Sequence, residues 1–209
     1  MPTYFKPKYP LTADAESGEF ATATDPYAVG AIDDGEGDLG GKSYGTYQFP
    51  SSAKYRDHLV AFVNWVGNPF SKQLKDAGSI ASQQFDVVWK QLAKTDNLEF
   101  GLAQETYCRE FMWSELLKRF EDTSGVVLQN REDKLVDLVV GTVNQYGTIS
   151  NSIAKYIATN GGDTLTTNQI GVLMQNYKLA NNDTIFRSSS QSTRNGVEAR
   201  ILRERRLFE

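Results

Sequence analysis

The sequence predicts a mainly α protein, of α+β class, in two lobes. Long apolar patterns recur at helical spacing from residue 54 onward, and strand signals are weak and confined to residues 28–50. One glycine-rich segment, "GEGDLGGKSYGTYQF" (35–49), interrupts the helices with a hairpin-like region. The chain of 209 residues reads as a single domain. Within it the glycine-rich region covers about 10–52, a helical body about 53–186 and a basic helix about 193–208.

The elements follow in order. "LTADAESGEF" reads as a short helix that stops at Gly18, since glycine is the usual helix terminator. "KYRDHLVAFVNWV" (54–66) and "QQFDVVWKQLAKT" (83–95) are apolar-periodic helices joined through "DAGSIAS". The longest pattern, residues 96–122, sets Phe100, Ala103, Tyr107 and Phe111 on one face and Met112, Leu116 and Phe120 on another. A helix apolar on two faces is buried from two sides, which makes this one the central helix. Core helices at 131–147, 150–160 and 166–179 follow. After the polar linker "RSSSQST", the last helix places Val197, Ile201 and Phe208 on one stripe. Trp65, Trp89 and Trp113 fall in apolar patterns and are assigned to the core, and His58 to a solvent face.

Composition removes several chemistries. A single cysteine, Cys108, excludes an internal disulfide, and with one histidine it leaves little for a zinc site or a cysteine–histidine nucleophile. No cofactor and no metal are expected, so catalysis would depend on carboxylates. Basic residues gather late: residues 187–206 hold six arginines against two glutamates, whereas residues 1–40 hold eight carboxylates against two lysines. Without aromatic-interleaved basic motifs no nucleic-acid partner is expected. The basic tail reads as a solvated helix face or as a steering surface for an anionic polymer. No apolar run approaches the roughly 20 residues of a membrane span, and the start lacks the 7–15-residue apolar stretch of a secretory signal. The expectation is a monomer made in the cytoplasm.

The glycine-rich segment is shaped for a purpose. Glu16 sits in the last turn of its helix, where the partial negative charge of the helix end disfavours an anion and raises the carboxyl pKa. A raised pKa is what a general acid needs at neutral pH. Asp38 lies in "GDLGG", whose glycines let the backbone approach a ligand. Two carboxylates on different elements, facing across a cleft, are the requirement for glycoside hydrolysis. Gly40, Gly41 and Gly45 would bring main-chain groups to a polysaccharide, Tyr44 and Tyr47 would offer ring faces, and Ser43 and Gln48 stand beside them. Gln104, on the apolar stripe of the central helix, either bonds substrate or braces the acid's loop.

These residues carry a family resemblance. "ESG" at 16–18, followed by "SYGTYQ" at 43–48, resembles the Glu-Ser-Gly … Gly-x-x-Gln pattern of soluble lytic transglycosylases and goose-type lysozymes, members of the lysozyme-like superfamily. "GDLGGKSYG" is similar to the Gly-Asp-x-x-Gly … Tyr-x-x-Gly stretch of chitosanases. The combination, with "TVNQYG" placing Gln145 and Gly147, most resembles phage and secretion-system peptidoglycan hydrolases related to both. The resemblance implies a lysozyme-like fold with Glu16 as catalytic acid and Asp38 activating water. Ser43, Tyr44, Gly45, Tyr47, Gln48, Gln104 and Gln145 would line the sugar site. It implies a muramidase acting on peptidoglycan glycan strands, of phage endolysin type, reaching the wall after holin release or injection. A lytic transglycosylase, a chitosanase or a non-catalytic wall-binding or tail-structural domain are the alternatives. The chain departs from the pattern at Phe49, Pro50 and Ser51, where goose-type lysozymes often carry a further aspartate, leaving Asp33, Asp34 and Glu36 as stand-ins.

Overall fold

A computed structural model of the chain describes residues 4–35 and 40–209. The fold is α-rich α+β, with ten α-helices among the described residues and one three-stranded sheet. The chain divides into two compact units, residues 1–112 and 113–209.

The first unit opens with α1 (Pro10–Ser17), whose proline stands in the first turn, where a missing N–H costs nothing. A 3₁₀ turn, Gly18–Phe20, continues it. Strands β1 (Ile32–Asp33), β2 (Ser43–Tyr44) and β3 (Phe49–Pro50) pair antiparallel in that order, Ile32 opposite Tyr44 and Tyr44 opposite Phe49. Two-residue strands have little stability of their own. Helices hold the sheet in place: α2 (Asp57–Asn64), α3 (Ser71–Asp76), α4 (Gln83–Thr95) and α5 (Asn97–Tyr107). The Ser82 hydroxyl caps α4 by accepting the Phe85 N–H, and Phe85, Trp89 and Leu92 then fall on one buried stripe. Around them runs an aromatic core. Trp89 meets Phe100 edge-on at 4.7 Å, Phe49 stacks on Phe62 at 5.3 Å, and Tyr44 meets Phe85 and Trp89 at 5.3 Å each. Each such pair contributes about 0.5–1.5 kcal/mol beyond its buried area.

The long helical pattern of residues 96–122 is not one α-helix. After α5 comes a π-helical stretch, Cys108–Trp113, and then α6 (Ser114–Ser124). A π turn carries an extra residue, which rotates the apolar stripe out of phase. Phe100, Ala103 and Tyr107 stay buried, but Phe111 is 51% exposed. Trp65, placed in the core by sequence, is half-buried and packs edge-on against Tyr107 and Phe111. Trp89 and Trp113 are buried, and His58 is exposed.

In the second unit α7 (Asp133–Tyr146), α8 (Ser150–Thr159), α9 (Thr167–Ile185) and α10 (Gln191–Arg205) follow α6. Leu135, Leu138, Val139, Val140 and Val143 bury one broad face of α7. A reciprocal capping box, Thr166 with Gln169, starts α9. Ser190 caps α10, so the helix begins inside the stretch "RSSSQST" that composition marks as a linker. Ile201 and Phe208 are buried and Val197 half-buried. Part of the tail's positive charge is matched locally, Arg200 to Glu204 at 2.8 Å and Arg205 to Glu209 at 3.0 Å. Among the described residues no helix is long and apolar enough to cross a membrane.

Candidate functional site

The first unit gathers its polar framework where α1 ends. Glu16 is half-buried in the last turn of α1. The next residue, Ser17, is buried, and its hydroxyl donates to the Thr46 carbonyl at 2.9 Å and approaches the Ala13 carbonyl at 3.3 Å. That contact ties the end of the helix to the turn of residues 45–48. The α-helix ends at Gly18 as expected, but with φ −58° and ψ −28° the residue stays helical and the chain runs on into the 3₁₀ turn. A Cβ there would lie 2.6 Å from the Asp14 carboxylate oxygen, so a larger residue would require that exposed side chain to turn away.

The 45–48 turn is built by buried side chains. Gly45 has φ +75°, a region natural to glycine, and a Cβ on it would collide with the Gln104 amide oxygen. Its N–H donates to the Ala31 carbonyl at 2.8 Å. Gln104 is fully buried. Its oxygen accepts the Thr46 N–H at 3.1 Å and its amide nitrogen donates to the Val29 carbonyl at 3.1 Å, which also receives the Trp89 indole N–H. Of the two roles open to Gln104, bracing the loop is the one these bonds carry out. Gln48 has φ +54° and turns its amide nitrogen back to the Gly45 carbonyl at 2.8 Å, so that half of its side chain closes its own turn.

Tyr44 and Tyr47 do not offer ring faces. Both rings are buried, because β2 and the following turn direct them into the aromatic core. The Tyr44 hydroxyl donates to Asp86, which also receives the Lys42 ammonium, at 2.5 Å each. Burial first, and then the Asp86 carboxylate, push the Tyr44 hydroxyl far above the usual tyrosine range. The Tyr47 hydroxyl donates to Glu105 at 2.9 Å. Ser43 is half-buried in β2, in register with Asp33 and Pro50.

Asp38 and Glu36 lie outside the described residues. Of the other stand-ins, Asp33 accepts the Gly35 N–H at 3.0 Å, and Asp34 is exposed with Lys42 at 4.0 Å. Gln145 belongs to the second unit, half-buried in the last turn of α7. The structure therefore brings Glu16, Ser43, Tyr44, Gly45, Tyr47, Gln48 and Gln104 into one unit, of which Gly45, Tyr47, Gln48 and Gln104 make or brace one turn.

Sequence reasoning missed Glu105. It is a buried carboxylate whose one oxygen accepts both the Tyr47 hydroxyl and the Lys8 N–H, the latter at 2.8 Å. It stabilises the turn and the segment leading into α1 together. The signal was a glutamate beside Gln104 on an apolar helix. Glu105 and Glu16 both lie within electrostatic reach of Cys108, whose thiol is pushed up chiefly by burial. Among the described residues no group of three histidine, cysteine, aspartate or glutamate side chains could hold a metal ion. What the arrangement offers chemically is one partly exposed carboxyl, Glu16, on a braced backbone, positioned to give or take a proton.

Residues 17–205 match the family model described as type VI secretion system spike protein VgrG3-like, C-terminal. The type VI secretion system spike protein VgrG3 of Vibrio cholerae serotype O1 is 27% identical over 160 residues, covering 77% of this chain. The chain spans 15% of the length of that relative. These matches correct the assignment, by resemblance, to the general lysozyme-like superfamily of phage endolysin or secretion-effector type: both point to a spike protein, and the family model to its C-terminal region. The family match begins one residue after Glu16 and takes in the 45–48 turn and the Gln145–Gly147 segment.

Proposed function

We propose that this chain, which belongs to the type VI secretion system spike protein VgrG3-like C-terminal family, is a spike-borne domain that cleaves the glycan strands of bacterial peptidoglycan. In this reading Glu16 protonates the glycosidic oxygen between N-acetylmuramic acid and N-acetylglucosamine, through an oxocarbenium-like transition state. The observation that carries it is the Ser17–Thr46 bond. It ties the end of the helix that carries the half-buried Glu16 to a turn that buried Gln104 and Glu105 hold in shape. Positioning of this kind is what a general acid needs and what a surface glutamate lacks. The attacking group is either water or the substrate's own 6-hydroxyl, giving a reducing end or a 1,6-anhydro end respectively. The site of action is the wall of a bacterial cell reached by the secretion spike.

A second reading is a non-catalytic domain that binds the wall or extends the spike. It is favoured by the family and the relative, both described as a secretion-system spike protein. Lysis of purified sacculi by the wild type beside Glu16→Gln separates the two. The first reading expects a loss of about 10²–10⁴-fold with unchanged circular dichroism. Equal lysis by the variant would remove Glu16 from the mechanism. A wild type that binds sacculi without cleaving them would leave the second reading standing.

A further inference from the structure

On the first unit a groove of about 650 Å³ takes its walls from Tyr4, the 20–32 loop and α4, and none from Glu16 or the 45–48 turn. Lys90 and Lys94, one helical turn apart, flank it from α4, while Phe20, Thr22, Thr24 and Ile32 face it from the loop. Both lysines are exposed, and among the described residues neither forms an ion pair. The acidic residue in the groove, Asp25, is already committed. One of its oxygens accepts the Val29 N–H at 2.9 Å and the Asn97 amide at 3.0 Å, and the other accepts the Gly30 N–H at 2.7 Å. The groove thus presents two lysine ammoniums against the single Asp25 carboxylate, a net positive charge, with two threonine side chains beside an apolar surface.

We propose that this groove binds the carboxylates of the short acidic peptides attached to peptidoglycan glycan strands. The choice of peptide rests on the wall-cleaving reading above. Carboxylate is favoured over phosphate by the backbone: phosphate sites use free N–H groups, and here those of Val29 and Gly30 are held by Asp25. The apolar surface of Phe20 and Ile32 suits the methyl and methylene groups that adjoin a peptide carboxylate.

The test is an amide NMR titration of the full chain with the dipeptide L-alanyl-D-glutamate, with its amidated form and with inorganic phosphate. Saturable shifts are expected at Thr22, Thr24, Gly30, Ala31 and Ile32 with the dipeptide, and much weaker ones with the other two. In the double variant Lys90→Gln, Lys94→Gln the dipeptide should bind about tenfold more weakly, the size of two exposed charge contacts. Unmoved signals, equal binding of the amidated peptide or of phosphate, or unchanged affinity in the double variant would each overturn the assignment. Binding is read without turnover, so an inactive wild type would defeat the wall-cleaving reading and leave this measurement intact. Cleaved walls with no dipeptide shift would defeat the groove alone.

Discussion

The two units treat buried polarity in opposite ways. Around residues 44–48 the buried Gln104 and Glu105 reach across the sequence to backbone N–H and C=O groups and to a hydroxyl, and so fix an irregular loop. In the second unit the buried polar residues Gln175, Lys178 and Glu204 stand between helices, whose backbones are already satisfied. There Tyr146 Oη, Gln175 Oε1 and Asn182 Oδ1 have no hydrogen-bond partner among the described residues. Lys178 is 2% exposed, 3.9 Å from Glu204 and 5.3 Å above the Tyr146 ring. The lesson is that a loop lacking a ladder of its own must borrow donors and acceptors from a helix. A helix pair gains only specificity from buried charge, at a cost in desolvation.

The comparison breaks most sharply at Glu204. Glu204→Gln removes the carboxylate that faces Lys178 and Arg200 and accepts the Gln175 amide, so the buried Lys178 ammonium loses its facing carboxylate. The expected loss is about 3–5 kcal/mol in urea denaturation. In the first unit Gln104→Leu orphans the Thr46 N–H, while the Val29 carbonyl keeps the Trp89 indole. One buried unpaired donor costs about 1–3 kcal/mol, and lysis, if Glu16 depends on the turn, should fall with it. Retention of full stability would mean that the turn holds itself.

Alkaline pH sharpens the contrast. Burial pushes the Lys178 ammonium down to about 8, while the Glu204 carboxylate is held low by Lys178 and Arg200 despite its own burial. Because the folded pKa of Lys178 lies below its ordinary value of 10.5, the unfolded chain binds more protons between pH 8 and 10.5, and stability rises with pH there. One proton over pH 8 to 10 amounts to about 2 kcal/mol. Above pH 10 the sign reverses. Burial raises the Tyr146 hydroxyl, and that of Tyr107 to about 12, so both favour the folded state only while protonated. Lys178→Met should abolish the rise from pH 8 to 10, because the proton that drives it is then gone. A persistent rise in that variant would assign the proton elsewhere.

What sequence could show follows the same division. The bounds of α4 were legible because a serine cap and the Phe85, Trp89, Leu92 stripe are local signals. Glu16 at a helix end was legible for the same reason. The π-helical stretch was not, since "CREFMW" continues an apolar pattern and the extra residue leaves no mark in composition. Nor were the buried faces of Tyr44 and Tyr47: strands of two residues have no alternation to read, and the face is set by Phe85, Trp89 and Glu105 from distant helices. The bracing role of Gln104 needed the loop's coordinates before it could be told from a substrate contact.

The most direct test of the central claim is mass spectrometry of the soluble products released from sacculi by the wild type and by Glu16→Gln. The account expects fragments cut after N-acetylmuramic acid, ending in a reducing or a 1,6-anhydro sugar, from the wild type and essentially none from the variant. Intact glycan in both digests, or the same fragments at the same rate from Glu16→Gln, would contradict it.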